Sequence, residues 1–196
     1  MKSGHMLVLM TGLFGIMACA KKADAPMDTT AAKVMVPLDS AAPPAATALN
    51  DANIVYILDQ ANASDSARGT LASSKGTSSD VKDFGRMMAG EHHALRQQGQ
   101  RLATKLSVTP VAPASDMSAA DAQKEMDALT AEAKGKSWDA AYIDFEVTYH
   151  KALLDIATKA LGAAQNQELK DLITKAAPVI QKHLDRALAI QSKLAK

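Results

Sequence analysis

The sequence predicts an all-α protein: an antiparallel four-helix bundle with an extra crossover helix, preceded by a signal peptide and a disordered tether. Three observations carry this prediction. Near the C-terminus, Leu169, Ile173, Ala176, Ile180, His183, Ala187, Ile190 and Leu194 recur in steps that alternate four and three, the seam of an antiparallel bundle. Apolar residues make up 47% of the chain but aromatics only 4%. Much of the apolar share is alanine, which favours helix and a thin, close-packed core. No run of β-branched and aromatic residues argues for a sheet.

The elements follow in order. Lys2 and the apolar stretch Met6 to Ala18 read as a signal peptide over residues 1–18, because the stretch is shorter than the ~20 apolar residues that span a bilayer. It ends in Ile16-Met17-Ala18-Cys19, and Cys19 is the chain's one cysteine. This resembles a bacterial lipobox, with Cys19 as the lipidation site. The expected location is therefore the cell envelope, lipid-anchored, with Ala20 rather than aspartate after the cysteine favouring the outer membrane facing the periplasm. Residues 19–49 are rich in Ala, Pro, Thr and Asp, with Pro26, Pro37, Pro43 and Pro44; they bury too little to offset ordering and read as a tether.

Residues 50–196 read as the bundle. The first helix starts at an Asn50 or Asp51 cap and runs to about Ser74, where Gly76 stops it. Ser78 or Ser79 caps a second helix carrying Val81, Phe84, Met88, Leu95, Leu102 and Leu106. A Pro-containing loop, Thr109 to Ser115, separates the halves, and a polar, Ala-rich helix over 118–134 is the crossover. A further helix starts near Ser137 and ends at Gly162. In the last helix, Pro178 should introduce a kink.

Four of these apolar stripes contain polar residues. They are Asp65 in the first helix, Glu91 and His92 in the second, Glu146 and His150 four apart in the next, and His183 in the last seam. Counting from the turns gives their depth. Asp65 lies about 12 residues before the first turn and His92 about 15 after it; His150 lies about 14 before the last turn and His183 about 19 after it. Six polar side chains thus converge on one level, and a buried layer of this kind needs internal hydrogen bonds, a metal or a route to solvent.

Bundle cores hold metals on such residues. The di-iron spacing, a carboxylate three residues before a histidine, is absent: Ala89, Val147 and Ile180 occupy those positions. A mononuclear site for a divalent metal such as zinc or copper, drawn from His92, His150, His183, Glu91, Glu146 and Asp65, is the sharper expectation. The alternative is a structural or interaction bundle whose polar layer only fixes helix register. Met87, Met88, Trp138, Tyr142 and Tyr149 read as core filler, while His5 falls in the leader and His93 off the stripe.

Together these residues resemble the domain-of-unknown-function "four-one-four-two" family of exported ferritin-like bundles. Val81-Lys82-Asp83-Phe84, Met88, Glu91-His92 and Leu102-Ala103 match its second helix. Trp138-Asp139, Tyr142, Val147 and His150 match its third, and Pro178 with His183-Leu184 its fourth. The resemblance spans about Asp51 to Lys193, and it implies a ferritin-like fold and an envelope location but no activity. Asp65 stands alone where the family usually has glutamates, Glu146 is not a family feature, and Trp138 replaces phenylalanine. With a net charge of +1 and no basic groove, a nucleic-acid role is excluded. Hydrolase, nucleotide and thiol-redox readings lack a nucleophilic triad, a phosphate loop or paired cysteines.

Overall fold

The computed structural model describes residues 48–114 and 116–196; the expected leader, Cys19 and nearly all of the tether lie outside them. Five helices form, α1 (Asp51–Lys75), α2 (Ser79–Lys105), α3 (Ser118–Ala131), α4 (Lys136–Ala163) and α5 (Gln167–Leu194), and no strand occurs among the described residues. None of these helices is long and apolar enough to cross a membrane.

Local chemistry sets the ends. Asn50 accepts from the Asn53 N–H at 3.0 Å and Asn53 Oδ1 accepts from the Asn50 N–H at 3.3 Å, a reciprocal cap that starts α1. Asn166 likewise accepts from Glu168 and Leu169 N–H groups to start α5. Ser78 occupies the cap position of α2, but its side chain makes no capping bond. Asp139 of α4 instead holds the turn ahead of it, accepting from the N–H groups of Thr77 at 2.9 Å and Ser78 at 2.7 Å. Gly162 does not end α4, which continues to Ala163. The crossover helix stops at Ala131, short of the expected residue 134, and α5 runs unbroken through the exposed Pro178.

The four long helices pack as two antiparallel hairpins, α1/α2 and α4/α5. At one end, Asp51 accepts from the N–H groups of Gln165 and Asn166, tying the α4–α5 turn to the start of α1. At the other, Asp139 holds the α1–α2 turn. Helix α2 runs antiparallel to α5, because Lys105 pairs with Glu168 and Lys193 with Asp80. Antiparallel α1 and α4 meet through Arg68–Glu146 and Ser64–Tyr149. The order is therefore up, down, down, up, which requires one long crossover, and α3 lies within it. Carbonyls of Leu129 and Thr130 at the C-terminal end of α3 accept from Lys75 at 2.6 and 2.7 Å, and Trp138 Nε1 donates to Leu129 at 2.7 Å.

Close approach of α1 and α2 needs glycine at two places. A Cβ on Gly69 would lie 2.6 Å from the Ala89 nitrogen, and one on Gly85 2.7 Å from both the Gly69 oxygen and the Ser73 nitrogen. The apolar core falls into two clusters. Phe84, Met88, Trp138, Tyr142, Leu184 and Ile190 belong to one, with Met87 packed against it. Ile54, Leu153, Ala157, Leu169, Ile173 and Ile180 belong to the other, with Leu49 and Tyr149 packed against it. The expected filler residues thus do fill the interior. Between the clusters lies the polar layer.

A three-histidine cluster between the hairpins

Asp65, Arg68, His92, Glu146, His150 and His183 are all buried, none more than 2% exposed. The structure brings His92, His150 and His183 together, so that one ring nitrogen of each lies within 4.8 Å of those of the other two. Helix periodicity explains the convergence: each histidine continues the inward stripe of its own helix, and the antiparallel register of α2 with α5 brings two of them level.

Each ring is oriented by a hydrogen bond on its outer nitrogen. His92 Nδ1 faces Asn62 Oδ1 at 2.9 Å. The Asn62 amide cannot be reversed, because its Nδ2 donates to the Leu58 carbonyl at 2.7 Å. His183 Nε2 faces Glu91 Oε2 at 2.8 Å, and His150 Nδ1 faces the Glu146 main-chain oxygen at 2.9 Å. All three outer partners are acceptors, so all three outer nitrogens carry the proton. The inner nitrogens then present lone pairs. His92 Nε2 and His183 Nδ1 stand 3.2 Å apart, and His150 Nε2 is buried with no partner. Three lone pairs pointed at one another repel unless a cation lies between them.

The three rings differ in how readily they take a second proton. Burial pushes His92 down to about 2, aided by neighbouring His183, His150 and Arg68. Burial also lowers His183, despite Glu91. For His150, burial is outweighed by the adjacent Glu146 carboxylate, the charge of Asp65 and the Glu146 main-chain oxygen, which hold its affinity for a proton above the ordinary value. Three imidazoles at the ~2.0–2.1 Å bonds of zinc in a tetrahedral array would hold their nitrogens about 3.3–3.4 Å apart. The His92–His183 pair is close to that spacing, while His150 has to close in.

The predicted carboxylates stand behind this cluster. Glu91 is 36% exposed, links His183 to solvent and pairs with Lys182 at 3.3 Å. Asp65 and Glu146 both pair with Arg68, whose Nε lies 3.3 Å from Glu146 Oε1 and whose terminal nitrogen bonds Asp65 Oδ1. Their second oxygens, Asp65 Oδ2 and Glu146 Oε2, lie 3.5 and 3.3 Å from the outer nitrogens of His92 and His150 and accept no hydrogen bond. Burial, and next the charge of Glu146, raises Asp65 to about 7. In Glu146 burial is outweighed by His150 and Arg68, so its pKa is lowered.

Arg68 and Asn62 are the residues the stripe reading missed. The Arg68 guanidinium lies 4.6 and 4.4 Å from the Phe145 and Tyr149 ring centroids, so aromatic faces and two carboxylates replace its water. A signal for both existed: Asn62 and Arg68 lie one turn before and after Asp65 on the same face. His93 is exposed and bonded to Gln97, off the stripe as expected.

Searches of curated proteins and of solved structures return no match. The profile of a domain of unknown function matches residues 36–190, beginning before the first helix and ending within the last. That span takes in all five helices but the last turn of α5, together with every residue of the polar layer, and it agrees with the motif resemblance; this chain belongs to the DUF4142 family.

Proposed function

We propose that this chain is a lipid-anchored cell-envelope protein whose ferritin-like bundle holds a divalent transition-metal ion, zinc or copper, on His92, His150 and His183. One observation carries the reading: the three rings, oriented by fixed acceptors, turn three unprotonated nitrogens toward one buried point. In it, Glu91, the Glu146 carbonyl and Asn62 orient the rings, while Asp65 and Glu146 supply negative charge around the ion. Three protein ligands leave a coordination position for water or another small ligand. The ferritin-like part draws on the single long crossover, and the anchor on Ile16-Met17-Ala18-Cys19.

The test is metal analysis of the full chain purified without a histidine tag, stripped with chelator and reloaded. About one equivalent of zinc or copper should be retained and should raise the melting temperature, and His150→Ala should lose both effects. No retained metal and unchanged melting would refute the site. For the anchor, metabolic labelling with palmitate should mark the protein and disappear in Cys19→Ser; a labelled variant would refute it.

A second reading is favoured by one specific feature, the Asp65–Arg68–Glu146 group, which neutralises charge without any ion. There the polar layer only fixes helix register. It requires each histidine variant to lose the same stability in chelator as in metal.

A further inference from the structure

The surroundings of the histidine cluster differ sharply from side to side. Along the bundle axis lie the two apolar core clusters, which a hydrated ion cannot cross without a large desolvation cost. Helix α1 packs closely on α2, and α4 on α5, the first pair with backbone against backbone at Gly69 and Gly85. Between the hairpins, the α1–α4 side is filled by Arg68, set among Asp65, Glu146, Phe145 and Tyr149; its guanidinium repels a divalent ion. On the α2–α5 side stands Glu91. Of the carboxylates paired with a cluster histidine, Glu91 alone reaches solvent. One of its oxygens serves the interior, accepting from His183 Nε2 at 2.8 Å, and the other accepts from the exposed Lys182 at 3.3 Å.

On the reading that the cluster holds metal, we infer that a divalent ion enters and leaves it through the α2–α5 seam at Glu91, with the Lys182–Glu91 pair as the latch that sets the exchange rate. Lysine–carboxylate pairs cross this seam at three heights, Lys105–Glu168, Lys182–Glu91 and Lys193–Asp80, and the middle one stands at the histidines. An arriving ion is repelled by the Lys182 ammonium, which also occupies the Glu91 oxygen the ion would bind. With Lys182 swung aside, Glu91 offers the ion its first protein oxygen, and the His183 ring stands next behind it. A departing ion takes the reverse path, so the same pair slows release.

Zinc uptake by the chelator-stripped full chain, and its release to excess chelator, are followed by stopped flow with a fluorescent zinc indicator. Lys182→Ala should speed uptake and release alike by about two- to fivefold, the range one exposed ion pair can hold back, and leave the dissociation constant nearly unchanged. Lys193→Ala, which breaks a pair on the same seam about 16 Å along α5, should exchange at the parent's rate. Adding Glu91→Gln to Lys182→Ala keeps an acceptor for His183 but removes the ion's first anionic contact, so uptake should fall about tenfold relative to Lys182→Ala. Faster uptake with slower release in Lys182→Ala is what mere loss of a positive charge produces, and it would overturn the latch. Equal rates in Lys182→Ala and the parent would overturn the latch as well, with the metal site left standing. Undiminished uptake in the double variant would rule out entry at Glu91. A parent that retains no zinc would overturn the metal reading and this inference together.

Discussion

Replacing Arg68 with methionine should be the most damaging single change in the polar layer. Its side chain is 1% exposed and those of Asp65 and Glu146 are 0% exposed, so neither carboxylate can recruit water when the guanidinium goes. Removing one partner of a buried, hydrogen-bonded pair costs about 3–5 kcal/mol. For a bundle of this size, each kcal/mol moves the melting midpoint by roughly 2–4 °C, giving an expected fall of about 6–20 °C. The loss should be largely reversed when Asp65→Asn and Glu146→Gln are added, because the stranded charge then disappears with its partner. Arg68→Lys should recover only part, since an ammonium lacks the planar fork that serves two carboxylates and lies against Phe145 and Tyr149. Circular-dichroism melts and urea titrations in chelator measure all of these. A fall of under ~1 kcal/mol in Arg68→Met, or no recovery in the triple variant, would refute the view that Arg68 balances this layer.

Two further changes probe the frame around the site. Asp139→Ala strips the α1–α2 turn of its acceptor and should cost about 1–2 kcal/mol in urea unfolding, the range for a lost helix cap. Gly85→Ala drives a methyl into the Gly69 and Ser73 backbones and should cost about 1–3 kcal/mol by the same measurement, whereas Gly90→Ala, open around its Cβ, should add up to ~1 kcal/mol.

The frame was legible because it rests on short-range periodicity. The unbroken seam from Leu169 to Leu194 gave α5 directly, and Gly76 with the nearby serines gave the first turn to within a residue. The histidine level was legible too, because depth follows from counting along rigid rods and antiparallel neighbours preserve it. What the stripes could not give was the division of labour inside that level. Whether a carboxylate meets a metal or a guanidinium depends on which side chains share the gap. Arg68 was hidden because a long cation on an alanine-rich helix ordinarily points to water. Asp139 was hidden for a different reason: its partners, Thr77 and Ser78, lie over sixty residues earlier in the chain, beyond the reach of any local rule. Asp65 and Glu146, expected among the ligands, both pair with a cation that the chain itself provides.

The hold of Asp139 on the α1–α2 turn bears on how the chain acquires its shape. The segment from Asp51 to Lys105 contains a whole hairpin with its own glycine crossing, yet the acceptor for its turn arrives only when α4 docks. Asp51 imposes the reciprocal debt, since the α4–α5 turn leans on the first residue of α1. Neither half is finished alone, so folding intermediates with one hairpin formed are penalised at their exposed bend. Assembly is thereby biased toward a single concerted transition, and excising either half gives those turn donors to water in place of the fixed carboxylate that orders them.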